Sequence, residues 1–182
     1  MVCGAYEDII AVSDIVAEVA LKRELVEEAK KAGAKGINVV GMCCSVNEIL
    51  VRKGIPVAGN FLQRELAIVT GAVELMIVDI QCIMPSLSRV ASCFHTKVVS
   101  THYKGRFPGV EHVEFSEDRA LDVAEKLIRM AIENYLKRGK SKINIPDENI
   151  DMVVGFTTEG IFHHLRGTYG ATYRPLNNAI IE

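Results

Sequence analysis

Apolar and polar residues alternate along the chain with a period that switches repeatedly between helix-like and strand-like, the pattern of βαβ units stacked on a parallel sheet. Between Ser13 and Lys31, the residues Ile15, Val16, Val19, Ala20, Leu25, Val26 and Ala29 recur at three- and four-residue spacing among Glu and Lys. This predicts an amphipathic helical region with Gly33 at its C-cap. Gly36 to Gly41 encloses a short β-branched run typical of a buried strand, and it leads into Met42-Cys43-Cys44. A helical stretch from about Ser45 to Lys53, a brief extended piece at Gly54 to Val57 and a helix from Phe61 to Thr70 follow. Leu75 to Ile80 is the strongest strand signal, and it delivers Gln81 and Cys82 at its carboxyl end. The pattern then repeats: helix at Ser86 to Phe94, strands at His95 to Ser100 and His112 to Phe115. A long helix, Arg119 to Lys137, has acidic residues at its start and Lys137 and Arg138 at its end, as the helix dipole favours. Beyond Gly139 the pattern predicts a basic loop to Pro146, a strand at Met152 to Gly155 and a helix at Thr158 to Leu165. Gly167 to Arg174 shows no periodicity, and Pro175 to Glu182 reads as a helix cut before its stop signal. The fold expected is α/β: an open, mainly parallel sheet with helices on both faces, forming one domain over residues 1–182.

Composition narrows the function. Hydrophobic residues make up 49% and charged residues 24% of 182, near the averages of soluble globular proteins, which excludes a disordered tail or a low-complexity linker. A net charge of −2 creates no long-range field to attract a polyanion or an anionic bilayer, so no nucleic-acid partner is expected. No apolar run approaches the ~18–20 residues of a membrane span, and the first residues lack the basic and apolar regions of a signal peptide. A cytoplasmic location follows as an expectation. The chain has five cysteines, an odd number in a domain too large to need disulfide staples, which favours free thiols or metal ligands.

In open parallel sheets, ligands bind in the crevice outside the carboxyl ends of the strands. Two cysteines fall there: Cys44, after the strand ending at Gly41, and Cys82, after the strand ending at Ile80. Neighbouring strands would bring them together. Thiolates in such a position are soft ligands suited to iron–sulfur clusters, zinc or nickel. A single buried cysteine is more often a small hydrophobe, and two at strand ends weaken that reading. Their separation matches none of the compact C-x-x-C patterns, so periodicity alone reaches no further than thiols on one rim.

The residues around them carry more. Gly36-Ile37-Asn38-Val39-Val40-Gly41-Met42-Cys43-Cys44, Asn47-Glu48, Gly54-Ile55-Pro56, Gly59-Asn60-Phe61-Leu62-Gln63, Glu65-Leu66-Ala67-Ile68, Thr70-Gly71-Ala72-Val73, Val78-Asp79-Ile80-Gln81-Cys82-Ile83-Met84-Pro85 and Ala91-Ser92-Cys93-Phe94-His95-Thr96-Lys97 together resemble the catalytic subunit of the anaerobic nickel-iron carbon monoxide dehydrogenases. The resemblance implies a Rossmann-like fold, here the middle domain of a longer chain. It also implies a share of the ligand set of the nickel-iron-sulfur C-cluster, where CO and water become CO2, two protons and two electrons. On the motif match, Cys44 resembles the ligand of the pendant iron that holds water or hydroxide, and Cys82 resembles a ligand of an iron in the cubane part. In such a centre nickel binds CO, and iron lowers the pKa of its water so that hydroxide forms at neutral pH. The partners implied are the remaining domains of the parent subunit, a second copy in a homodimer, and an electron-acceptor protein for the full enzyme.

The chain also departs from that family. A histidine on the pendant iron is implied upstream of the first cysteine motif, whereas no histidine precedes His95 here, and the stretch from Cys3 to Asp8 stands where it would lie. The remaining cysteine ligands belong to a following domain. A cluster with two of its ligands would be labile, so the polypeptide alone is expected to be inactive and not to hold it. The alternative is a non-catalytic domain that keeps the scaffold and binds a single metal ion or a partner chain.

Other residues read more plainly. Cys43 is expected to be a buried thiol beside the proposed ligand, because adjacent side chains diverge. Cys3 and Cys93 are most simply core or surface cysteines, with Cys3 a remote substitute for the missing ligand. Asn60 after Gly59 is expected to cap the helix that follows more than to bind a ligand. His95 and His102 read as structural, and His163-His164 lies at a helix end. No G-x-G-x-x-G follows a strand, so a dinucleotide cofactor lacks its phosphate-cradling loop.

Overall fold

The computed structural model of the chain describes residues 2–3, 7–43, 53–80, 83–138, 143–148 and 157–165. Two compact units divide it, Met1–Asp147 and Glu148–Glu182. The first unit holds a six-stranded sheet: β1 (Val2–Cys3), β2 (Gly41–Met42), β3 (Val57–Gly59), β4 (Leu75–Val78), β5 (Lys97–Ser100) and β6 (Glu111–His112). The order across the sheet is β3-β2-β1-β4-β5-β6, and every pairing is parallel. Among the described residues five α-helices accompany it: α1 (Glu7–Ala20), α2 (Arg23–Lys31), α3 (Arg64–Val69), α4 (Ser86–Ala91) and α5 (Ala120–Tyr135). The second unit contributes α6 (Thr158–Leu165), where the Gly160 amide donates to Thr157 Oγ1 at 3.0 Å.

The period-2 alternation of β4 and β5 sorts their side chains onto two faces. Leu75, Ile77 and Val99 join Val12, Val16 and Ala20 of α1, Leu25 of α2 and Val123, Ala124 and Leu127 of α5 in one buried cluster. Met76, Val78 and Val98 join Ile68 of α3 and Leu87 and Ala91 of α4 in another. Helices therefore cover both faces of an all-parallel sheet, as the alternating pattern predicts.

Several predicted elements end elsewhere. The helical region from Ser13 to Lys31 is broken at Lys22, whose ψ of 131° is extended. The break leaves Leu21 73% exposed while returning Leu25 and Ala29 to the core. Gly33 closes α2 as expected: its φ is 94°, and the amides of Gly33 and Ala34 donate to Lys30 O and Ala29 O at 2.9 and 3.0 Å. The strand read over Gly36 to Gly41 shrinks to Gly41–Met42. A ladder extends only where partners exist, and β2 has two residues of β1 on one side and a bulged pairing with β3 on the other. β6 shortens for a similar reason, being an edge strand paired only with Val99 and Ser100; the amides of Val113 and Phe115 still donate to Ser100 O and Thr101 O. β1 itself carries no sequence signal. The predicted helix over Ser45 to Lys53 falls largely outside the described residues, and the strand at Met152 to Gly155 and the C-terminal helix lie wholly outside them.

The amino ends of β4 and β5 are fastened by α5. Asn134, 4% exposed, donates to the carbonyls of Glu74, at 2.8 Å, and His95. Arg138 bonds the Glu74 carboxylate and Ala72 O, and the His95 ring lies 3.3 Å from the same carboxylate. His95 is thus structural, on the rim away from the strand ends discussed below.

Candidate metal centre

The strand order reverses between β1 and β4: the chain runs from β1 outward through β2 to β3, then returns to the other side of β1 for β4, β5 and β6. A crevice for ligands opens at the carboxyl ends beside such a reversal, because the connections there diverge to opposite sides. β2 and β4, the strands that precede Cys44 and Cys82 in the sequence, both end on this rim. Cys44 and Cys82 themselves lie outside the described residues. One expectation needs correction. β2 and β4 are not neighbours, since both pair with β1, and so they stand two strand spacings apart, ~10 Å.

At the β2 exit the backbone turns sharply. Cys43 has a φ of 65°, in the left-handed region that a non-glycine residue adopts only at some cost, and its amide donates to Gly59 O at 3.1 Å. Its thiol is buried, 9% exposed, and Sγ accepts a hydrogen bond from Arg64 Nη2 at 3.4 Å. Arg64 is wholly buried, and its guanidinium lies 5.0 Å from the centre of the Phe61 ring. Cys43 is therefore a buried thiol engaged by protein groups, as expected. Asn60 and Gln63 form a capping box: Asn60 Oδ1 accepts from the Leu62 amide at 3.0 Å and Gln63 Oε1 accepts from the Asn60 amide at 2.8 Å, which engages both side-chain oxygens. Gly59, with φ 151°, makes this possible, because a Cβ there would fall 2.6 Å from Gln63 Oε1.

At the β4 and β5 exits the rim is polar and largely buried. Asp79 and Thr101 are 1% and 2% exposed, and Thr101 Oγ1 has no hydrogen-bond partner among the described residues. A cavity of about 300 Å³ opens between Asp79, Thr101, His102, Tyr103, Glu114 and Phe115. Gly105 passes so close to this exit that a Cβ would stand 3.1 Å from Asp79 O. His102 is structural, its Nδ1 accepting from the Lys104 amide at 3.1 Å and its ring stacked on Tyr103. His112 Nδ1 lies 2.9 Å from Ser100 Oγ. Burial, and then the positive charge of Arg106, hold His112 below the usual histidine pKa against the opposing pull of Glu114.

Among the described residues no group of three or more His, Cys, Asp or Glu side chains could hold a metal ion. The second unit places His163, exposed, on α6. Cys93 is an exposed thiol at the end of α4, on the chain leading to the amino end of β5 and so away from the crevice. Sequence reasoning missed Arg64. Its signal was present in the helical spacing, because Arg64 stands four residues before the buried Ile68, but an arginine reads as solvent-facing by default.

Fold and rim define the class: an open, all-parallel α/β protein whose strand order reverses beside β1. The chain belongs to the Prismane/CO dehydrogenase family, whose model matches residues 2–167. It is 52% identical over 156 residues to carbon monoxide dehydrogenase 1 of Methanosarcina mazei, covering 86% of this chain and 25% of that protein. It is 52% identical over 150 residues to carbon monoxide dehydrogenase 1 of Carboxydothermus hydrogenoformans, covering 82% and 23%. Among solved structures, the as-isolated, nickel-free carbon monoxide dehydrogenase of Thermococcus sp. AM4 superposes with a TM-score of 0.79 at 48% identity, over 94% of this chain and 26% of that one. The chain thus spans about a quarter of the length of the curated relatives it matches. No helix among the described residues is long and apolar enough to cross a membrane.

Proposed function

We propose that this chain is the part of a carbon monoxide dehydrogenase that supplies thiolate ligands to a nickel-iron-sulfur cluster, with Cys44 and Cys82 as metal ligands. What supports this reading is that β2 and β4, the strands that precede Cys44 and Cys82 in the sequence, end on one rim on either side of β1, where the strand order reverses, in a chain of this family. When bound, such a cluster supplies the redox centre at which CO and water give CO2, two protons and two electrons. The chain's own residues set the stage. β2 and β4 fix the exits, Cys43 and Arg64 hold the bend before Cys44, and the buried Asp79 and Thr101 form a wall that limits water.

The whole reaction needs the remaining domains of the parent subunit and an electron-acceptor protein, in the reducing cytoplasm where free thiols persist. Leu62, Leu66 and Val69 are 77%, 63% and 47% exposed along and just before α3, an apolar stripe available to those domains or to a second copy. Anaerobic reconstitution of the chain with iron, sulfide and nickel tests the reading. Iron and sulfide should bind in a fixed ratio, be stripped readily by a chelator, and fall with Cys44→Ser and with Cys82→Ser. Uptake of zinc alone, or iron uptake unchanged by both substitutions, would instead favour a non-catalytic scaffold.

A further inference from the structure

α3 and the turn before it are apolar on both sides. Toward the sheet, Ile68 packs among Met76, Val78 and Leu87, and Arg64 is enclosed one turn earlier. On the outward side Leu62, Leu66 and Val69, spaced by four and three residues as one helical stripe requires, stand exposed. Beyond the helix end the Asn144 amide donates to Thr70 O at 2.9 Å, which brings the exposed Ile143 and Ile145 alongside. A surface helix turns polar residues to water, whereas one that is apolar all round belongs in an interior.

The face carries almost no charge. From Phe61 to Thr70 the charged residues are Arg64, which is buried, and Glu65, which is half-buried, and Ile143 to Pro146 adds none. Depletion of charge marks the covered centre of an interface, and an electron-acceptor protein recruited by charge finds nothing here to steer it. Size decides between the other two occupants. The five exposed apolar residues present roughly 500 Å². A stable homodimer takes about 800 Å² from each copy, whereas two domains of one chain close on about 600–1,500 Å² in total. The chain spans about a quarter of the relatives it matches, so three quarters of such a subunit remain to pack against it. We infer that the face formed by α3 and residues 143–145 seats another domain of the parent subunit, one that presents an uncharged apolar surface to it. The inference rests on the chain being a segment of such a subunit, and on the ligand role of no cysteine.

Photoactivated carbene labelling, read by mass spectrometry without added metal, tests it on the free chain and on the full-length Methanosarcina mazei subunit with its matching quarter replaced by this chain. Label on Leu62, Leu66 and Val69 should fall at least fivefold in the subunit; equal label there, with the buried Met76 and Leu127 protected in both proteins, would overturn the inference. In the free chain, Leu62→Gln combined with Leu66→Gln should leave the melting temperature within about 1 °C. A fall of about 4 °C or more would show that these leucines pack inside the chain, and would overturn the inference without recourse to the subunit. Sedimentation of the free chain should give a monomer, and a dimer dispersed by the same pair of substitutions would assign the face to a second copy instead. Iron uptake enters none of these measurements, so failure of the cluster reading would leave their outcome unchanged.

Discussion

The buried contact between Arg64 and Cys43 sets the conformation of the bend from which Cys44 departs, and its strength can be worked out. Arg64 is 0% exposed, donates to Cys43 Sγ at 3.4 Å and lies over the Phe61 ring at 5.0 Å. The hydrogen bond contributes about 1 kcal/mol, the cation–π contact about 1 kcal/mol, and the buried aliphatic stem about 2 kcal/mol at ~0.8 kcal/mol per methylene. Part of this is offset by the desolvation of the charge, which a truncated side chain no longer bears. Arg64→Ala should therefore destabilise the chain by about 3 kcal/mol, and Arg64→Met, which keeps the stem, by about 1–2 kcal/mol. Arg64 also interacts with groups beyond these two, so the figures are lower bounds. Urea unfolding followed by far-UV circular dichroism is the assay, since the chain has no tryptophan. A double-mutant cycle of Arg64→Met with Cys43→Ala isolates the contact, with an expected coupling of about 1 kcal/mol. Coupling indistinguishable from zero, with Arg64→Ala as stable as the wild type, would refute the clamp.

Gly105→Ala should cost about 1–3 kcal/mol, because its Cβ would meet the Asp79 backbone at 3.1 Å; Gly36→Ala, with nothing within 4 Å of its Cβ, should be tolerated, and equal stabilities would count against the close approach. Asn134→Ala leaves the Glu74 and His95 carbonyls without their side-chain donor and should cost about 2–3 kcal/mol by thermal unfolding, with a loss under 0.5 kcal/mol as the contrary result. The lowered pKa of His112 keeps its imidazole neutral in the fold, while the unfolded chain takes up a proton near the ordinary histidine value. Stability from this group is present above the unfolded pKa and is lost as pH falls through it. His112→Gln should flatten the stability profile in that mildly acidic window, and an unchanged slope in urea titrations across pH would contradict the assignment.

The sheet's central strands and its layered helices were legible because burial writes itself into periodicity. Leu75 to Val78 is apolar at every position and buried at every position, and α5 shows its apolar stripe through Val123, Leu127 and Met130. Thr158 to Leu165 is a helix over the residues its pattern marks. β1 was not legible, since two residues carry no period and its strand character comes from pairing on both sides. The break at Lys22 was hidden because α1 and α2 keep one continuous apolar phase up to the turn. At the rim, Asn60 was legible as a cap, whereas the burial of Arg64 was only hinted at by helical spacing, because its partner, Cys43, comes 21 residues earlier across the β2–β3 connection.

The two rims of the sheet divide the work of stability and function. On the amino side, the carbonyls of Ala72, Glu74 and His95 are all bound by side chains of Asn134 and Arg138, which holds the strands in register. On the carboxyl side, Thr101 Oγ1 is buried without a partner among the described residues, Cys43 adopts a left-handed backbone, and glycines at 59 and 105 admit contacts that any side chain would block. Each of these features costs free energy, and none improves the core. Such costs gather where a protein gives up stability for a site. Strand order also explains why linear spacing is uninformative here: Cys44 follows β2 and Cys82 follows β4 in the sequence, and the strand that lies between β2 and β4 in the sheet, β1, comes first in the chain.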